Sequence, residues 1–474
     1  MARYFKFHTL DDLAAECRRL GVDMPLDEDL SPLFQPVTVG SWTVGNAMCV
    51  QPMEGCDGTI TGEPDDLTFR RYRRFGAGGA KLIWGEAAAV TNEARATPRQ
   101  LLVSPQSAAG LKRIVCECRA AHREACGRDD NLVIGLQLTH SGRYSYPRPL
   151  IAVHDPILDP RTIADRTTGT VVDDSYPLLS DDDLSRLVNQ FVAAAKIARD
   201  AGFQFVDVKQ CHRYLLNEML GATTRPGKYG GAFENRTRLA REIIAAIRSE
   251  VPNIAIATRI NVYDSIPYRK RVDNVGEPCP HELPLRNYWG VSRNDHGVAD
   301  LTEPIAWIRE MVRLGVVLVN VSMGSPYTTP HVLRPFETPP PDGYETPEHP
   351  LFGVARHFDL TAAIQRAIPE IPIVGSGYSY LQEFLPQAGA ANLRMGRCGF
   401  VGVGRATLSQ PDFARQLQKT GRLDRKRICR TFSYCTALMR AKHNELGQFA
   451  TGCPPFDKEL YGPLWNEAKA KPEK

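Results

Sequence analysis

A lysine, a histidine, an arginine and a tyrosine fall within six residues of one another, Lys209, His212, Arg213 and Tyr214, in KQCHRY. An ammonium, an imidazole and a phenol so close in sequence can hold an anion, polarise a carbonyl or move a proton. Other polar residues close other apolar runs. Gln137 ends LVIGLQL, Arg259 ends IAIATRI, Gly377 follows IPIVGS, and Gly404 and Arg405 follow GFVGV. Glycine lets backbone N–H groups approach an anion, and arginine adds a forked, permanent cation, so the last two turns suit a phosphate. Taken singly, each has a plainer reading: turn glycines, a solvated strand edge, a buried tyrosine anchoring a loop. Five strand ends bearing such residues ask for a common face.

The elements that must position them are legible as short apolar runs. Strands are predicted at 47–53 (AMCVQPM), 80–87 (AKLIWGEA), 132–138, 203–209 (FQFVDVK), 254–260, 316–322 (VVLVNVS), 371–376 and 399–403. They are continuous and rich in Val and Ile, as strands buried on both faces of a parallel sheet are. Amphipathic helices are predicted between them, at 184–201, 236–250, 306–314 and 411–420. Eight strands alternating with helices predict an α/β fold, a (β/α)8 TIM barrel; an open doubly wound sheet is the alternative. Residues 263–304 and 328–350 break the rhythm and read as long loop insertions on the face where such barrels build specificity. The division expected is an N-terminal helical segment (1–32), the barrel (33–420) and a C-terminal extension (421–474) whose charged end, NEAKAKPEK, reads as frayed.

Composition narrows the class. A net charge of +4 with no basic patch gives no case for nucleic acid, and no segment is apolar enough to span a bilayer. The N-terminus lacks a signal-peptide core and reads as an amphipathic helix with Leu10, Leu13, Ala14, Cys17 and Leu20 on one face. Twelve scattered cysteines then read as reduced thiols of a cytoplasmic protein. No H-E-x-x-H, paired Cys/His set or G-x-S-x-G elbow occurs, and no metal site is expected. His140, alone beside Gln137, reads as structural. Oligomeric state is left open, a homo-oligomer included.

The chain resembles the old yellow enzyme family of FMN oxidoreductases (NADH:flavin oxidoreductases and 2,4-dienoyl-CoA reductase-like barrels). The resemblance is carried by LFQPVTVGSWTVGNAMCVQPM, GGAKLIWGEAAAV, GLQLTHSGR, CHRYLLNEML, TRPGKYGGAFENRTRLAREII and VGVGRATLSQP, in the family's order. It implies bound FMN, with NADH or NADPH as a transient reductant of a small-molecule substrate. It also implies roles. Pro52 and Met53 match the segment under the flavin, Ala87 the small residue facing the pyrimidine ring, and Gln137 the glutamine bonded to that ring. Arg259 matches the cation near flavin N1, and Gly377, Gly404 and Arg405 the phosphate site. Tyr214 matches the tyrosine that protonates the substrate carbon opposite the hydride, while Lys209 and His212 occupy the substrate-gripping positions.

The departures concern the substrate. Where relatives carry His-x-x-His or His-x-x-Asn, this chain has Lys209-x-x-His212. Lysine is a donor-only point charge that can pair with a carboxylate, polarise a carbonyl or close an internal salt bridge. Arg213 replaces a glycine, adding cationic character or bulk, and Glu54 replaces a small polar residue. Larger relatives carry a four-cysteine iron–sulfur motif after the barrel. Here Cys429, Cys435 and Cys453 are three, without a C-x2-C pair, which argues against a cluster. No G-x-G-x-x-G follows a strand. The leading expectation is NAD(P)H-driven hydride transfer to an activated alkene. The alternatives are an FMN-dependent dehydrogenase or demethylase acting on an amine, and a non-redox barrel lyase using Lys209 as a Schiff-base amine.

Overall fold

The computed structural model describes residues 3–470. Its centre is a closed barrel of eight parallel strands: β1 (Met48–Val50), β2 (Leu82–Ala89), β3 (Val133–Thr139), β4 (Phe205–Val208), β5 (Ala255–Asn261), β6 (Val316–Ser322), β7 (Ile373–Gly375) and β8 (Phe400–Val403). Neighbours in sequence are neighbours in space, and β8 closes on β1. Each strand falls on a predicted apolar run: β1, β4, β7 and β8 are shorter than predicted, β6 coincides with its run, and β2, β3 and β5 start and end one or two residues later.

Alternation along the strands divides the core. Cys49, Leu82, Trp84, Val133, Phe205, Ala257, Leu318, Val374 and Phe400 fill the barrel interior. Their neighbours, among them Val50, Ile83, Ile134, Val206, Ile256, Val319, Ile373 and Val401, face outward into the layer of helices. The interior is packed to contact: a Cβ on Gly135 would stand 2.1 Å from the Phe205 ring, and Trp84 meets that ring edge-on at 5.0 Å. A hairpin, Val37–Val39 with Trp42–Val44, adds Val39 and Val44 to the interior cluster at its N-terminal end. This hairpin was not among the predicted elements.

The same alternation carries each interior column from apolar to polar. Two residues beyond an apolar interior position come Gln51, Asp207, Arg259, Asn320 and Ser376, and four beyond come Gln137 and Lys209. Strand β2 breaks the alternation. Its register against β3 shifts between Trp84 and Ala87, so that Trp84 pairs with Gly135 but Ala87 with Gln137. This bulge turns Ala87 inward and sends Glu86 outward to Arg71 at 2.5 Å.

The predicted helices are present with small shifts, at Asp181–Ala201, Arg238–Glu250, Thr302–Arg313 and Phe413–Thr420. Helix Leu10–Leu20 has the expected apolar face, with Leu13 and Cys17 buried, a Thr9/Asp12 capping box and Gly21 at its end in the left-handed region. The insertion at 263–304 is more ordered than a loop. It contains two hairpins, Tyr268–Lys270 with Gly276–Pro278 and Val291–Ser292 with Asp295–Ala299. After residue 420 the chain crosses the C-terminal face of the barrel. Leu438, Phe449, Ala450 and Tyr461 form a small core there, and Asp457 ties it down by accepting from Arg70 at 2.8 Å and from Arg74. The charged end begins as helix, Lys458–Lys469, rather than frayed chain, and 471–474 lie outside the described residues. No described helix is long and apolar enough to cross a membrane.

Candidate active site

Pro52, Met53, Ala87, Gln137, Lys209, His212, Tyr214, Arg259, Gly377, Gly404 and Arg405 all line one cavity at the C-terminal end of the barrel. Every candidate site residue read from the sequence is therefore in one place: interior columns bring Gln137, Lys209 and Arg259, the β2 bulge brings Ala87, and the turns after the strands bring the rest.

At one end Gln137 meets a buried carboxylate. Its Nε2 donates to Asp207 at 2.6 Å, and Asp207 also accepts from the Trp84 indole at 2.7 Å and the Arg259 backbone N–H at 2.7 Å. One N–H of Nε2 is so engaged; the second and the carbonyl oxygen have no partner among the described residues. Burial pushes the Asp207 carboxyl up to about 6. Arg259 is 8% exposed, and its Nε has no partner. A buried guanidinium with unused donors calls for an electron-rich group opposite it.

At the other end two guanidiniums share a wall. Arg405 donates to the Pro335 carbonyl at 2.6 Å and leaves Nη1 unused. Arg334, from the segment after β6, leaves both Nε and Nη2 unused. Burial, with Arg405 and Arg440 close by, lowers Arg334 to about 9. Gly377 has φ 96°, a conformation glycine adopts without strain. A Cβ on Gly404 would crowd Met53 Sδ at 3.3 Å. Unused arginine donors beside two glycines fit a phosphate, and the Gln137–Arg259 end fits the hydrogen-bonding edge of a flavin, so the residues present fit FMN. Arg334 escaped the sequence reading because it sits in a proline-rich excursion with no strand end to mark it.

Between these ends lies a third group. Lys209 Nζ stands 3.9 Å from the centre of the Tyr214 ring. It closes no internal salt bridge among the described residues; burial lowers its pKa, against the raising pull of Glu54 and Asp207. His212 bonds Ser322 Oγ through Nε2 at 3.0 Å, and burial, with Arg259 and Lys209 nearby, pushes it well below its ordinary value, so it is neutral. Tyr214 Oη lies 2.9 Å from Tyr327 Oη. Glu54 also faces the cavity; one carboxylate oxygen is without a partner, and burial pushes its carboxyl up to about 7. The loop carrying it is pinned where Gly55 N–H donates to Glu86 at 2.9 Å.

Arg213 corrects the expectation of an added charge in the site. It is turned away from the cavity and neutralised by Asp264 at 3.0 Å and Asp155 at 3.1 Å. His212 and Arg213 both have positive φ, 68° and 62°, and Asn217 holds the turn by accepting from Arg213 N–H at 2.6 Å. His140 Nδ1 accepts from Gly142 N–H at 3.1 Å, in keeping with a structural role. Cys429, Cys435 and Cys453 line a second cavity that shares Arg405 and Cys435 with the first. Among the described residues the only three His, Cys, Asp or Glu ligand atoms within 4.8 Å of one another belong to His154, Asp159 and Asp174. Asp159 there is already paired with Arg143 at 2.5 Å.

Residues 32–277 match the model of the NADH:flavin oxidoreductase / NADH oxidase family. An NADH:flavin oxidoreductase of Gibberella zeae is 30% identical over 255 residues, which is 50% of this chain and 58% of that protein. An NADPH dehydrogenase of a Geobacillus species is 30% identical over 260 residues, 52% of this chain and 70% of that protein. Among solved structures, a 2-naphthoyl-CoA reductase in complex with 2-naphthoyl-CoA superposes with a TM-score of 0.65 at 17% identity, covering 93% of this chain and 58% of that one. An old yellow enzyme homologue from Zymomonas mobilis gives 0.58 at 19% identity, covering 84% and 96%. At those identities the structural likeness shows the fold alone.

Proposed function

The chain belongs to the NADH:flavin oxidoreductase / NADH oxidase family, and from that premise we propose that it is an FMN-dependent enzyme that draws hydride from NAD(P)H and reduces an activated alkene. FMN supplies reversible hydride chemistry when bound. Everything else falls to the chain. Gln137, Ala87 and Arg259 would hold the pyrimidine edge of the ring, with the Arg259 cation favouring a reduced, anionic ring. Pro52 and Met53 would lie beneath it. Gly377, Gly404, Arg405 and Arg334 would hold the phosphate. Tyr214 holds its proton at Oη in the third part of the cavity, where burial raises its pKa and keeps it protonated at neutral pH. It would deliver that proton to the substrate carbon as hydride arrives opposite. Lys209 would hold a substrate carbonyl oxygen as a point charge, and neutral His212, pinned to Ser322, would shape the same wall.

The observation that carries this reading is a group of arginines with unused donors at the two ends of one cavity, Arg259 and Arg405 buried and Arg334 half-buried. Purified protein is expected to carry the visible absorbance of an oxidised flavin, or to acquire it with added FMN. A colourless protein that FMN does not reconstitute would overturn the reading.

One observation favours a second reading. The unpartnered Glu54 carboxylate in the cavity suits a substrate ammonium, as in amine oxidation. Bleaching of the flavin by an amine without NAD(P)H would establish it. We read Cys429, Cys435 and Cys453 as free thiols without a cluster. Stoichiometric iron in protein purified without oxygen would contradict that.

A further inference from the structure

A Tyr214 that gives up its proton must recover it before the next turnover. Tyr214 is 3% exposed, and its hydroxyl has a single hydrogen-bond partner among the described residues, Tyr327 Oη at 2.9 Å. No carboxylate or imidazole bonds to it. Lys209 lies over the face of the ring rather than at the oxygen. Tyr327 comes from the segment after β6, Tyr214 from the turn after β4, so the bond crosses the cavity. Tyr327 is the more open of the two residues, at 39% exposed. Its ring is held in place by stacking on Tyr144 at 4.1 Å and 18°, and its backbone N–H donates to Ser325 Oγ at 3.2 Å.

Two hydroxyls share one hydrogen bond, so one proton lies between them and the other is free. If Tyr214 donated to Tyr327, its proton would point away from substrate. If Tyr327 donates, Tyr214 accepts with a lone pair and its own proton is free to face the cavity. Only the second arrangement serves a proton donor.

We infer that Tyr327 is the proton feed for Tyr214, donating to its oxygen and passing on from solvent the proton that Tyr214 spends in each turnover. The inference rests on the reading of Tyr214 as the proton donor. In the step, the Tyr214 O–H bond breaks as the substrate C–H bond forms. The Tyr327 proton moves to Tyr214 Oη, and a hydronium ion or buffer acid in solvent returns a proton to Tyr327 Oη. No electrons move in the relay; bound FMN would supply the hydride. Tyr327 acts through Tyr214, so it is a positioning and relay residue. Its hydrogen bond also supports a charge developing on a buried phenol oxygen, where an unpartnered one would be costly.

The test uses the flavin-loaded full chain, reduced with NAD(P)H and mixed anaerobically with 2-cyclohexen-1-one. Tyr327→Phe is expected to slow flavin reoxidation about 10- to 100-fold, the effect of losing one hydrogen bond to a developing charge. Flavin reduction, spectrum and thermal midpoint should stay unchanged. In mixtures of light and heavy water, the wild-type rate is expected to curve with deuterium content, as two moving protons require, and that of Tyr327→Phe to fall on a line. Tyr214→Phe and Tyr144→Phe separate the possibilities. If Tyr214→Phe leaves reoxidation intact, the proton-donor reading itself falls. If Tyr214→Phe slows it but Tyr327→Phe stays within twofold of wild type, the relay alone falls. Tyr144→Phe removes a hydroxyl from the same stack and is expected to change nothing. A loss equal to that of Tyr327→Phe would assign the effect to packing and overturn the relay.

Discussion

Arg334 is the residue that most sharpens the proposed cofactor site. It comes from a segment with no strand to announce it, yet it leaves two donors unused beside Arg405. Arg334→Ala is expected to weaken FMN binding about 10- to 100-fold, the range for a hydrogen bond to a charged group, measured by fluorescence titration of apoprotein. Unchanged affinity would remove Arg334 from the phosphate site. Glu54 makes a second prediction. Its carboxyl titrates near 7 in the fold against an ordinary value of 4.5. Between those values the unfolded chain binds fewer protons than the folded one, so this group's contribution to stability falls as pH rises through that window. Glu54→Gln is expected to flatten that part of the pH–stability curve of the apoprotein, followed by urea unfolding; an unchanged slope would show that Glu54 titrates normally.

The strands position the chemistry by alternation, and that much was legible: the apolar runs, their order, and the polar residues that end them. Less legible was anything set by register or by contacts distant in sequence. The bulge between Trp84 and Ala87 decides whether Ala87 or Glu86 faces the cavity, and nothing in LIWGEAAA announces it. The partner of Glu86 is Arg71 on another element, and the partner of Tyr214 lies 113 residues away. Arg213 was misplaced for the same reason: its two carboxylates come from the segment after β3 and from the insertion after β5. Barrel packing makes a prediction at this scale. A Cβ at Gly135 would stand 2.1 Å from the Phe205 ring, so Gly135→Ala is expected to destabilise the protein by about 1–3 kcal/mol, as overpacked cores do. A urea midpoint equal to wild type would show that the interior relaxes without cost.

At the scale of the molecule, the barrel supplies a floor and residues 421–470 supply a roof. Met439, Arg440, Lys442, Gln448 and Thr451 all border the cavity, and Thr451 N–H donates to the Gly55 carbonyl at 2.7 Å beside the loop that carries Glu54. Asp457 fastens this segment to Arg70 and Arg74 on the barrel's helix Asp66–Ala77. Asp457→Ala is expected to speed proteolytic cleavage after residue 420 and to loosen FMN retention together. Faster cleavage with full retention would show that the roof does not help hold the cofactor. The roof was also the part hardest to foresee, because its contacts depend on where the barrel face stands and not on any periodicity of its own.

The most direct measurement is double-mixing stopped flow without oxygen, following flavin absorbance while the protein meets first NADH or NADPH and then an activated alkene. One of the two nucleotides is expected to bleach the flavin, and the alkene to restore its colour, with only the second phase slowed in Tyr214→Phe. A flavin that neither nucleotide reduces, or one that an amine bleaches and no alkene reoxidises, would contradict the proposed reaction.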